Sequence, residues 1–227
     1  LSDEPTGEQL EHYLKLKKAV EPYLKGFVIM DALSKYEFYE QGAVDQPVVA
    51  LNHVQAYLDH HMSPLWVYYC VSQGVGVSNR FMAMPSSRNR VLGFQLYLEN
   101  AEGFLQWGFN FYNSDLSERR LNPYLHTDGN GAWPAGDPFL VYPGEGGVPE
   151  GSIRQMVFGE AMQDHRACLL LERYIGREEV CRMIREAGIL GFFQYPCDED
   201  FIPALRERIN RAIRTITEHP AGGEESY

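Results

Sequence analysis

Apolar residues recur at helical spacing through Leu10, Tyr13, Leu14, Val20 and Leu24, and Gly26 stops the pattern before the short run Phe27-Val28-Ile29-Met30. This predicts a helix opened by the capping box Thr6-Gly7-Glu8-Gln9, then a strand that Asp31 ends. A second helical stretch is expected from Pro47 to about His61, a strand from Leu65 to Cys70, and a helix from Ser86-Ser87 through Tyr97 to Asn100. Gly103 to Phe111 reads as another extended run, and Phe139-Leu140-Val141-Tyr142 as a further one. Between those two lies a long Gly, Pro and Asn-rich loop. From Ser152, with Gln155 completing a capping box, helical periodicity runs through Ile175, resumes after Gly176 and returns between Asp198 and His219.

Strands that alternate with helix-length crossovers imply a parallel sheet in an α/β fold. Strand ends are expected near Ser2, Met30, Cys70, Phe111 and Tyr142. A closed (β/α)8 barrel takes eight strands and about 250 residues, so five strands form either an open sheet or the later part of a barrel. The start of the chain, in the middle of an apparent strand, favours the second: a TIM-type barrel of which the chain holds roughly strands four to eight plus C-terminal helices. Residues 1–219 are then one barrel unit, and 220–227 an acidic tail.

Composition narrows the partners. The 227 residues carry 20 Lys and Arg against 31 Asp and Glu, a net charge of -11 that repels polyphosphate and anionic lipid, so neither nucleic acid nor membrane is expected as a partner. No run reaches the length of a membrane span. Cys70, Cys168, Cys181 and Cys197 lack any short metal-binding spacing and are expected as free thiols, which favours a reducing, cytoplasmic compartment.

The candidate chemistry begins at Asp3-Glu4, two adjacent carboxylates at an expected strand end, where an α/β barrel keeps its reactive groups. Neighbouring Cα atoms lie about 3.8 Å apart, so the two acids approach a bound sugar from one side. That arrangement suits neither a double-displacement glycosidase, which needs carboxylates about 5 to 5.5 Å apart across the bond, nor an inverting one. It does suit hydrolysis in which a 2-acetamido group on the sugar is itself the nucleophile, one acid orienting the amide and the other protonating the leaving oxygen. The competing reading is two acids that stabilise a helix N-terminus, and spacing alone leaves the two level.

Trp66, Tyr69 and Trp107 are candidate stacking surfaces for a pyranose, although most strand aromatics serve packing. Asp31, Asn79, Asn110 and Tyr142 sit at expected strand ends or just beyond and are candidate sugar-binding residues. For Arg80 and Arg90 a structural pair with an acid such as Asp31 or Asp137 is the preferred reading. No metal is expected: His60 and His61 diverge by about 100° on a helix, and His126 with Asp128 lacks a third ligand. Gly144-Glu145-Gly146-Gly147 lacks the Lys-Ser/Thr end of a phosphate loop, and Ser34, Ser78 and Ser152 lack a nucleophile-elbow frame, so no cofactor and no serine hydrolase is implied.

Ser2-Asp3-Glu4-Pro5, Trp66-Val67-Tyr68-Tyr69, Asn79-Arg80, Gly103-Phe104-Leu105-Gln106-Trp107-Gly108, Gly136 to Gly144 and Ser152-Ile153-Arg154 occur in an order that resembles glycoside hydrolase family 123. The same region is known as the domain of unknown function 4091 family, and the likeness extends from Leu1 to about Ile175. The resemblance implies a retaining, substrate-assisted exo-β-N-acetylgalactosaminidase with a (β/α)8 barrel behind an N-terminal β-sandwich. It further implies that Asp3 orients the acetamido group, that Glu4 is general acid and then general base, and that Trp66, Tyr69 and Trp107 surround the sugar. The remaining barrel strands and the sandwich are then partners of this chain. The alternatives are a non-catalytic carbohydrate-binding or scaffold module, and a glycosidase acting on a sugar without the acetamido group.

Overall fold

The computed structural model describes residues 4–198 and 200–218. The expected strand end at Ser2, the candidate Asp3 and the tail lie outside them. A 3-10 turn, in which the Gln9 side-chain oxygen accepts from the Thr6 amide at 2.8 Å, leads into α1 (Leu10–Val20). There follow β1 (Met30–Leu33), α2 (Glu37–Glu40), β2 (Gln46–Ala50), α3 (Gln55–Asp59), β3 (Leu65–Tyr69), α4 (Ser86–Arg90), α5 (Leu92–Leu98) and β4 (Ala101–Gln106). After a long loop come β5 (Val141–Pro143), β6 (Pro149–Gly151), α6 (Ile153–Ile175), α7 (Arg177–Glu186) and α8 (Phe201–Glu218).

Among the described residues the architecture is a mixed α/β fold on a four-stranded parallel sheet in the order β1-β2-β3-β4, with Leu33 opposite Val49, Val49 opposite Val67 and Val67 opposite Phe104. One face carries Val49, Leu65, Val67 and Tyr69, which pack with Leu92 and Leu96 of α5 and Phe158 and Met162 of α6. Close approach of α5 and α6 depends on Gly93, where a Cβ would sit 1.9 Å from the Ala161 carbonyl oxygen. Asp164, fully buried on α6, accepts from Arg90 Nε at 2.7 Å and from Arg206 Nη1 at 2.8 Å, tying α4 and α8 to α6. The C-terminal helices close a second core around Leu171, Val180, Ile184, Leu205 and Ile209.

Three sequence expectations need correction. The stretch from Pro47 to about His61 is not one helix: it is the fully buried strand β2, a 3-10 turn at Leu51–His53 and the short α3. Its β-branched Val48 and Val49 fit a strand buried on both faces, which has no alternation for a periodicity argument to detect. The run Phe27 to Met30 is not a strand, since Phe27 is 75% and Val28 67% exposed; the chain enters the sheet at Met30, and Asp31 lies inside β1 rather than ending it. Val141–Pro143 is not a parallel strand: it pairs antiparallel with β6 in a separate hairpin.

Candidate active site

The opposite face of the sheet carries Ala32, Val48, Ala50, Trp66, Tyr68 and Cys70, with Trp107 just past the end of β4. Side chains alternate along a strand, so Tyr68 faces this side while Tyr69 faces the helices. Over the carboxyl ends of the strands lies a cavity of about 290 Å³ whose lining includes Glu4, Tyr68, Cys70, Leu105, Asp115, Trp107 and Trp133.

Glu4 enters this cavity from the segment ahead of the first helical turn, with a left-handed backbone (φ 41). Its Oε1 accepts a short hydrogen bond from the Tyr68 hydroxyl and a longer contact from the Cys70 thiol at 3.9 Å. Burial and the adjoining Glu4 raise the Tyr68 phenol above its ordinary range, so it stays protonated and remains a donor. Burial pushes the Cys70 thiol up to about 11. Trp107 and Trp133 form one wall, with ring centroids 5.5 Å apart, and Phe111 completes a three-ring cluster at 6.0 and 5.5 Å from them.

This wall is anchored from below. Arg80 is buried and donates through Nη1 to Asp137 Oδ1 at 2.7 Å and through Nη2 to the Trp107 and Asp137 carbonyls, each at 2.7 Å. Burial raises the Asp137 carboxyl pKa and the Arg80 guanidinium opposes the shift. The preference for a structural Arg80 pair thus meets Asp137, whereas Arg90 pairs with Asp164.

The candidates separate accordingly. Glu4 and Trp107 share the cavity. Trp66 lies beside it, its ring flat on Gly103, where a Cβ would come within 2.0 Å of the indole. Tyr69 is fully buried on the helix-facing side, its hydroxyl donating to Asn89 Oδ1 at 3.3 Å and its ring 4.9 Å from the Arg80 guanidinium, so no sugar reaches it. Asn79 is also fully buried, donating to the Cys70 and Gln73 carbonyls at 2.9 Å, and so braces the loop after β3 rather than lining the cavity. Asp31 points towards α1, where the Tyr13 hydroxyl donates to it at 2.6 Å. Asn110 is exposed in a bridge to Phe139, and Tyr142 packs on Tyr124 and Phe139 beside Arg154, outside the cavity.

Tyr68, Cys70, Asp115 and Trp133 also line the cavity, and of these the sequence offers only Tyr68, as one aromatic of the Trp66 to Tyr69 run. Strand alternation from Trp66 points to Tyr68 and Cys70; Trp133 sits in an aperiodic loop, where only its size marks it. A larger groove of about 600 Å³ runs between α6 and α8 and holds none of these strand-end side chains. Cys70, Cys168 and Cys181 are buried, Cys197 is exposed, and all four are free.

The model of the glycoside hydrolase 123 catalytic domain matches residues 1–171, the part that contains the sheet and the Glu4 cavity. The chain belongs to glycoside hydrolase family 123. Among solved structures, a family 123 glycoside hydrolase from Clostridium perfringens, described in connection with glycolipid glycan hydrolysis, shares the fold with a TM-score of 0.63 at 17% identity. That alignment covers 96% of this chain and 41% of the other, so this family 123 chain spans less than half the length of its structural neighbour. No curated protein matches it.

Proposed function

We propose that this chain is the carboxyl-terminal part of a (β/α)8 barrel that hydrolyses terminal β-N-acetylhexosaminides of the N-acetylgalactosamine type with retention of configuration. The observation that carries the reading is Glu4, a carboxylate held by Tyr68 in a cavity walled by Trp107 and Trp133 at the carboxyl ends of parallel strands. An indole wall offers an apolar face to the C–H side of a pyranose. A carboxylic acid beside it is placed to protonate a glycosidic oxygen.

In the proposed reaction the 2-acetamido carbonyl oxygen attacks C1 as the Glu4 proton passes to the leaving oxygen, closing an oxazolinium ring. The Glu4 carboxylate then removes a proton from water, which attacks C1 and reopens the ring, restoring the acetamide. Asp3, by family resemblance, orients the acetamide N–H. The earlier barrel strands and a β-sandwich domain are the proposed partners, and the glycan of a glycolipid is one substrate consistent with the neighbour's description.

The test is a thiazoline mimic of the cyclised intermediate, assayed on the intact protein against a chromogenic β-N-acetylgalactosaminide. Competitive inhibition is expected. Turnover that the thiazoline does not slow would move the assignment to a sugar without an acetamido group, and binding of the glycoside without turnover would favour a carbohydrate-binding module.

A further inference from the structure

Glu4 is exposed and lies in left-handed backbone, so local helix or strand geometry does not hold its carboxyl group. The sheet holds it instead. Tyr68 is 3% exposed, sits in a strand paired on both sides, and donates to Oε1. The Ser34 hydroxyl, just past the end of β1, faces the same phenol oxygen and opposes the upward shift of its pKa. Among the described residues Oε1 has two donors, Tyr68 and Cys70, and Oε2 has no hydrogen bond.

We propose that Tyr68 is a positioning residue for Glu4: its hydroxyl occupies Oε1 and leaves Oε2 as the oxygen that carries the proton to the glycosidic bond. This rests on the reading of Glu4 as general acid. The hydroxyl exchanges no proton with the substrate; it fixes the carboxyl plane, so that the carboxyl O–H meets the leaving oxygen in line. A donor on Oε1 also disfavours protonation there, because that oxygen already accepts the tyrosine hydrogen. The catalytic proton is thereby confined to one oxygen.

A positioned acid matters in proportion to how poor the leaving group is, since a strongly acidic phenol departs without protonation. The experiment compares wild type, Tyr68→Phe and Glu4→Gln in the intact protein on β-N-acetylgalactosaminides of phenol, 4-nitrophenol and 2,4-dinitrophenol. Tyr68→Phe is expected to lose about tenfold to a hundredfold in kcat/KM on the phenyl substrate, as for a lost hydrogen bond to a charged group, and less than about threefold on the dinitrophenyl one, kcat/KM being the parameter that reports the bond-breaking step alone. Tyr13→Phe removes a comparable phenol–carboxylate bond, at Asp31, and serves as the control: its loss should not vary with leaving group.

A Tyr68→Phe loss that is equal for all three substrates, or no loss, overturns the positioning role while leaving the acid assignment standing if Glu4→Gln still shows the leaving-group dependence. A Glu4→Gln loss independent of leaving group overturns both. Thermal melting of each variant keeps a folding defect apart from these outcomes, because misfolding lowers every substrate alike.

Discussion

Arg80 and Asp137 are 57 residues apart in sequence and meet at 2.7 Å with both side chains fully buried. Through Nη2 the same guanidinium also holds the Trp107 carbonyl, so the pair ties the loop after β3 to the loop bearing the indole wall. A buried charge that loses its partner keeps its desolvation penalty and loses the attraction that offset it.

Arg80→Met is therefore expected to destabilise the protein by about 3–5 kcal/mol, read as a lower urea midpoint. The double variant Arg80→Met with Asp137→Leu should recover much of that loss, because no uncompensated charge remains. A double variant no more stable than the single one would contradict this account of the pair.

Thiol reactivity follows burial. The thiolate is the reacting species, and burial raises Cys70 to about 11 and Cys168 to about 12. Iodoacetamide near neutral pH should modify Cys197, which is exposed, well before Cys70. A sugar that fills the cavity should slow Cys70 further and leave Cys197 unaffected. Peptide mapping by mass spectrometry against time checks both, and Cys70 labelling as fast as Cys197 would be the adverse result.

His165 gives the stability a pH dependence. Burial first, and then the nearby Arg177, lower its pKa below the ordinary imidazole value, so the folded state resists a proton that the unfolded chain accepts. Stability from this group is complete above about pH 6.5 and is lost as pH falls through the folded-state value, with a slope of at most about 1.4 kcal/mol per pH unit for one proton. His165→Gln should flatten that part of the profile of unfolding free energy against pH. Identical slopes in the variant and the wild type would count against the assignment.

Where a local signal decided the structure, it could be read from the sequence. Ser152 accepts from the Gln155 amide at 3.2 Å and opens α6 where the capping box predicts it, and β3 lies where Leu65 to Cys70 was expected. The helices after Gly176 and in the final segment follow their apolar spacing because each buries only one stripe. β2 escaped because a strand covered on both faces shows no period of two, and a valine pair after a proline carries little local signal by itself.

The same physics limited the reading of the site. Trp66 and Tyr69 have opposite parity on β3 and point to opposite faces, yet both faces are apolar, so composition does not tell which one meets the cavity. The register of β3 against β4 and the cavity above Leu105 decide for Tyr68. Asn79 looked like a binding residue for a related reason: a buried amide bracing a loop and an exposed one binding a sugar are the same letter. Arg80 was legible as one half of a pair, because a charge that close to an apolar strand needs a partner, and Asp137 was among the acids considered.

The central claim is that Glu4 transfers the proton that breaks the glycosidic bond. The most direct measurement is kcat for Glu4→Gln in the intact protein on 4-nitrophenyl β-N-acetylgalactosaminide, with folding verified by thermal melting. The account predicts a loss of about a hundredfold to ten-thousandfold with the fold retained. Turnover equal to that of wild type would contradict it.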